Sequence, residues 1–175
     1  PNGRFASHIL GGTRFNNQSA SNADMVGSAG IEATFNDFLN DRNRNGEPLQ
    51  LSLDLSVQAS VERILNGSME LMNAKGASGI VLDVMTGEII SMVSLPDFDP
   101  NDRPKLVKNS KPSDSALFNR AVQGLYELGS TFKIFTVAKA LELELVSPET
   151  QLEFPNRMKI MGVLVKDDHY KGPIL

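Results

Sequence analysis

Ser130 and Lys133 are the residues of this chain whose types and spacing could do chemistry. They lie in Tyr126-Glu127-Leu128-Gly129-Ser130-Thr131-Phe132-Lys133, the one place where a lysine follows a serine by three residues. Behind them runs Ile134 to Leu145, apolar on most sides and free of Pro and Gly. Such a run predicts a helix opening at Ser130 or Thr131. Residues i and i+3 share a helix face, so Ser130 and Lys133 can touch. A serine hydroxyl needs a base within hydrogen-bond reach to become a nucleophile. A lysine held near an apolar helix face, partly desolvated, could take that proton. The free N–H groups and positive dipole end of a helix N-terminus could stabilise an oxyanion. The plain structural alternative is a serine N-cap with an exposed lysine one turn on.

The elements that must position this pair belong to an ordinary folded chain. It has 175 residues, enough for one sizeable domain or two small ones. The net charge of −4 argues against a nucleic-acid backbone binder. The absence of cysteine excludes a disulfide framework, thiol chemistry and a thiolate metal site. No apolar run approaches the roughly 18 residues of a membrane span. A chain starting at Pro1 and stopping after Gly172-Pro173-Ile174-Leu175 is expected to be a piece of a longer protein.

Residues 1–47 are rich in Gly and Asn and carry no catalytic constellation. Ser7 to Gly12 reads as a short strand ending in a glycine turn, and Asn16 to Asn22 as an exposed loop. Ile31, Phe35, Phe38 and Leu39 fall at amphipathic-helix spacing. A domain boundary is placed near Pro48. His8 stands alone and is read as a packed or surface residue.

Leu49 to Leu53 alternates like a strand, and Asp54 or Ser56 can cap a helix running to about Asn73. Its apolar stripe is Val57, Val61, Ile64, Leu65, Met69 and Met72. Residues 77–84 and 88–95 form a hairpin through Met85-Thr86-Gly87. Being apolar on both faces, the hairpin is expected at the centre of a sheet covered by helices. Residues 102–116 are expected to be mobile. Met158 to Val165 predicts a strand pair through Gly162, and Asp167-Asp168-His169-Tyr170 a solvated turn rather than a metal or acid/base cluster.

Six phrases taken together are more specific than any of these features. They are Gly27 to Glu32, Leu51 to Gln58, Asp83 to Ile89, Ser94 to Asn101, Asn119 to Val122 and Tyr126 to Lys133. In that order and spacing the chain resembles class B penicillin-binding proteins over nearly all its length. It is most similar to the division-type septal peptidoglycan D,D-transpeptidase in its α-proteobacterial form. Leu128 departs from the pattern, standing where many relatives have Pro.

The resemblance implies an α+β fold, part of the penicillin-binding transpeptidase fold with an antiparallel sheet flanked by helices. Residues 1–47 would end a small non-catalytic pedestal domain, and residues 48–175 would begin the transpeptidase domain. Ser130 would attack the D-Ala-D-Ala carbonyl of a stem peptide, with Lys133 the leading candidate for the base and the Ser130 N–H one oxyanion donor. No cofactor or metal is implied. The implied partners are peptidoglycan stem peptides, β-lactams and divisome membrane proteins. The implied location is the periplasmic face of the inner membrane, with an anchoring helix outside this chain. The family's Ser-x-Asn and Lys-Thr-Gly motifs do not follow Lys133 here. The piece alone is therefore expected to be inactive, and either to self-associate through surface that the missing strands would cover or to fold differently from the parent around residues 100–175. An elongation-type relative, a non-catalytic divisome-binding module and a class D β-lactamase relative are the alternatives.

Overall fold

The computed structural model describes residues 3–16, 24–105, 107–152 and 155–166. It divides into two compact units, residues 1–125 and 126–175.

The first unit begins with a one-turn helix α1 (Ser7–Leu10), strands β1 (Gly12–Asn16) and β2 (Asp24–Ala29), and short helices α2 (Gly30–Thr34) and α3 (Asn36–Asn40). The segment from Ser7 is thus a helical turn, not the expected strand. Leu10 N–H donates to Ala6 O and Gly11 N–H to Ser7 O, both at 2.9 Å, and Gly11 leaves the turn at φ 82°. Antiparallel β1 and β2 then return the chain beside α1. At their end Gly30 sits at φ +59°, where a Cβ would stand 2.7 Å from Gly11 N. Only a glycine allows this approach of the two backbones. The amphipathic helix expected over 31–39 is broken in two at Phe35, which has φ −106° and ψ 23°. Beyond the break the Asn36 side chain accepts from Gly27 N–H at 2.9 Å, tying the second piece back to β2. The polar loop expected at Asn16 to Asn22 lies largely outside the described residues.

Helix α4 (Leu55–Leu71) follows, and of the two candidate caps it is Asp54 that serves, its Oδ1 accepting from Ser56 N at 2.8 Å and Val57 N at 2.9 Å. It packs against the antiparallel hairpin of β3 (Ala77–Leu82) and β4 (Ile89–Leu95). Gly79 lets the helix approach: a Cβ there would lie 3.2 Å from Leu65 Cδ1 and 3.5 Å from Val61 Cγ1. Asp83 organises the turn, accepting from Met85 N and Thr86 N at 2.8 and 3.0 Å. The Thr86 and then the Met85 bond hold its carboxyl below the ordinary value.

Two expectations are corrected in this region. Leu49–Leu53 is not a strand. It meets β4 through Ser52 Oγ to Ile89 O (2.7 Å) and Asp54 N to Ile90 O (2.9 Å). The contact goes no further along β4 because Asp54 caps α4 and the chain turns into the helix there. The hairpin is also not central in a sheet: among the described residues it is a two-stranded sheet by itself. Residues Val93 and Leu95 of β4 are buried, whereas Ile80, Val81 and Leu82 of β3 are exposed.

The core of this unit gathers Ala6, Ile9, Val93, Leu95 and Phe98 between α1 and β4. His8 is packed there, its Nε2 2.8 Å from Ala116 O and its ring edge-on to Phe98 at 5.1 Å. Within the stretch expected to be mobile, Arg103 and Ser113 are both held by hydrogen bonds. Arg103 donates to Ser28 Oγ at 2.8 Å, and Arg120 to Ser113 O at 2.7 Å. The unit closes with α5 (Arg120–Gln123), capped by Asn119.

The second unit holds a 3₁₀ turn at Gly129–Phe132, helix α6 (Lys133–Glu142), and the hairpin of β5 (Arg157–Ile160) and β6 (Val163–Lys166). This is the strand pair expected through Gly162. Both turn residues take positive φ, Met161 at 48° and Gly162 at 86°, as a tight two-residue hairpin requires. Asp167 to Tyr170 lies outside the described residues.

Candidate active site

The helix carrying the serine and lysine opens one residue earlier than expected and in a tighter form. Gly129 takes φ +54° and starts the 3₁₀ turn, in which Thr131 N–H donates to Leu128 O at 3.1 Å. Lys133 closes that turn by donating its N–H to Ser130 O and is itself the first residue of α6. At three residues per turn, side chains at i and i+3 eclipse. The 3₁₀ start therefore places Ser130 and Lys133 on one side of the turn. Among the described residues no hydrogen bond joins the two side chains, and the Ser130 N–H has no backbone acceptor. Hydroxyl, amine and a free N–H thus share the head of one helix.

Ser130 and Lys133 are both exposed. The burial expected for Lys133 is not found within its own unit, where the apolar residues beside it are also exposed. Phe132, Ile134 and Phe135 are 57, 67 and 62 % exposed. Phe132 and Phe135 meet only each other's edges, with ring centroids 5.8 Å apart. Leu128, the departure from the resembled pattern, holds φ −70°, the value a proline would impose.

The first unit contains two further groups that sequence reasoning missed. Gln58 is buried, although the expected stripe of α4 omitted it. Its position one heptad before Leu65, on the side of Val61, was the available signal. Arg120 runs beside Gly76, gives its backbone N–H to Ser94 Oγ at 2.9 Å and reaches Phe118 O at 3.3 Å. It anchors the segment that leads toward residue 126. Among the described residues no group of His, Cys, Asp and Glu side chains could hold a metal ion.

The Penicillin binding protein transpeptidase domain model matches residues 77–169, a span that takes in Ser130 and Lys133. The chain belongs to that family. It is 34% identical over 176 residues to the probable peptidoglycan D,D-transpeptidase FtsI of Caulobacter vibrioides, covering 100% of this chain and 28% of that protein. It is 32% identical over 172 residues to the peptidoglycan D,D-transpeptidase FtsI of Buchnera aphidicola, covering 86% of this chain and 28% of that protein. Penicillin-binding protein 3 of Mycobacterium tuberculosis, solved in complex with aztreonam, superposes with a TM-score of 0.70 at 26% identity. That match covers 98% of this chain and 37% of the solved one. The chain therefore spans under a third of the length of these two curated relatives. Its mixed α and β structure, small antiparallel sheets with helices, corresponds to part of the solved one.

Proposed function

We propose that this chain is part of a peptidoglycan D,D-transpeptidase of the septal, division type, with Ser130 as its nucleophile and Lys133 as the base. The position of Ser130 and Lys133 one 3₁₀ turn apart, within the span matched by the family model, supports this reading. The Ser130 hydroxyl attacks the penultimate D-alanine carbonyl of a donor stem peptide and passes its proton to the Lys133 amine. The Ser130 N–H binds the resulting oxyanion, and a second donor comes from the strand that carries Lys-Thr-Gly. Collapse expels the terminal D-alanine, which takes up a proton, and leaves an acyl ester on Ser130. The amine of a neighbouring stem then displaces the serine and completes the cross-link. A β-lactam acylates the same oxygen as its ring amide opens.

Residues 1–47 are read as the end of a pedestal domain and residues 48–175 as the first part of the transpeptidase domain. The whole protein works at the periplasmic face of the inner membrane with divisome partners. The names of the curated relatives support the division assignment. The exposure of both site residues supports a silent site in the 175 residues alone.

Intact mass after incubation with benzylpenicillin tests the reading. The whole protein should gain one drug mass, and its Ser130→Ala form none. The 175-residue chain alone should stay unmodified. An adduct that persists in the Ser130→Ala whole protein would refute the assignment.

A further inference from the structure

A cavity of about 260 Å³ opens in the first unit between α1, the loop from Phe98 to Arg103, and α5. Its apolar wall is made by Phe98, Leu117 and Val122. Its polar groups are nearly all donors. Arg103 lines it, gives one N–H to Ser28 Oγ at 2.8 Å and has no carboxylate within ion-pair distance among the described residues. Asn119 and Gln123 line it too, and both carbonyl oxygens are already used. Asn119 Oδ1 accepts from Ala121 N at 3.1 Å, and Gln123 Oε1 from Asn119 N at 2.9 Å. Each amide is thus left with an NH₂ group that has no acceptor among the described residues. Ser7, 2 % exposed, also lines the cavity, and its hydroxyl has no partner among the described residues. A buried hydroxyl without a partner is costly, and the space is several times that of one water. The exception among the polar groups is the His8 ring, whose Nε2 already meets Ala116 O. No acidic side chain lines the cavity.

A guanidinium with no carboxylate partner among the described residues and two amide NH₂ groups beside an aromatic and aliphatic wall select a ligand with one anionic end and an apolar body. We propose that this cavity binds a carboxylate carried on a short apolar stem. Arg103 is its counter-ion, Asn119 and Gln123 donate to the oxygens, and Phe98, Leu117 and Val122 hold the stem. The Ser7 hydroxyl gains the partner it lacks. The carboxylate can belong to a free small acid or to the C-terminus of a peptide.

Two-dimensional NMR titration of the chain with hexanoate, with hexanamide, and with an acetylated Ala-Leu dipeptide as free acid and as amide tests this. Saturable shifts should centre on Ser7, Phe98, Arg103 and Gln123. Each acid should bind at least about tenfold more tightly than its amide, the worth of a charge-assisted hydrogen bond. Tighter binding of hexanoate than of the dipeptide acid identifies a free small acid, and the reverse identifies a peptide end. Arg103→Gln should weaken acid binding by about tenfold. Ser7→Ala breaks no hydrogen bond in the structure and should weaken it by roughly threefold with the fold intact. If Arg103→Gln does not fold, Gln123→Glu replaces it. It keeps the acceptor for Asn119 N–H, places a negative charge at the rim, and should abolish acid binding while sparing hexanamide. Equal binding of acid and amide, or unchanged acid affinity in folded Arg103→Gln or Gln123→Glu, overturns the proposal.

Discussion

The side chain of Gln58 pairs with the backbone of Met92 as a neighbouring strand would. Its Oε1 accepts from Met92 N at 3.0 Å and its Nε2 donates to Met92 O at 3.0 Å, while Ser91 Oγ donates to the same Oε1 at 2.8 Å. One amide thereby caps the free edge of β4 and fixes α4 against it. A buried amide is tolerated here because its oxygen and nitrogen both have backbone partners.

Gln58→Leu keeps similar bulk but strands the Met92 N–H and C=O and the Ser91 hydroxyl. Buried groups left without partners should lower stability by roughly 2–4 kcal/mol. A urea midpoint within error of the parent's would show that the amide does not hold helix to strand.

Gly76 and Gly79 should respond differently to alanine. At Gly76 the new Cβ would collide with the Arg120 side chain and lie 2.8 Å from the backbone oxygen of Leu95, which cannot swing away. At Gly79 the nearest atom is the end of the Leu65 side chain at 3.2 Å. Gly76→Ala is expected to cost about 2–3 kcal/mol and Gly79→Ala less than about 1 kcal/mol. Thermal melts of both variants check the order, and equal losses would contradict it.

Glu62 and Asp97 share a small cavity with Arg4 and His8. Burial pushes the Glu62 carboxyl above its ordinary value of 4.5, and the charge of Asp97 pushes the same way. The folded chain therefore holds the Glu62 proton more tightly than the unfolded chain. The corresponding stability is complete below the ordinary value and is lost as pH rises through the raised one. His8 works in the opposite sense. Burial lowers its imidazole below 6.5, so its contribution is present above 6.5 and is lost as pH falls through the lowered value. Glu62→Gln removes only the first effect. It should be more stable than the parent near about pH 7, with the gap narrowing toward about pH 4. A gap that stays constant across that range would assign the effect to packing instead.

The apolar surface of α6 should make the 175-residue chain associate. Phe135 and Val137 are 62 and 54 % exposed beside Phe132 and Ile134, and such a patch marks an interaction surface. Sedimentation velocity should show mass rising with concentration, and Phe135→Glu should suppress the rise. A strictly monomeric profile together with one sharp cooperative melt would refute this.

The sequence alone determined what depends on neighbours along the chain. The Asp54 cap, the α4 helix, the hairpin about Gly87 and the positive-φ turn at Gly162 all follow from short-range backbone rules. So does the placing of Ser130 and Lys133 one turn apart, because residues three apart in a helix lie on one side. The six phrases, read together, were enough to point to the family. Tertiary structure alone decided which surfaces are covered. It exposed an apolar helix at Lys133, left β3 an outer strand, buried Gln58 and paired Arg103 with Ser28 across 75 positions. Burial is a sum over elements distant in sequence, so no local pattern contains it. A polar side chain is buried when a backbone edge elsewhere in the fold needs its hydrogen bonds.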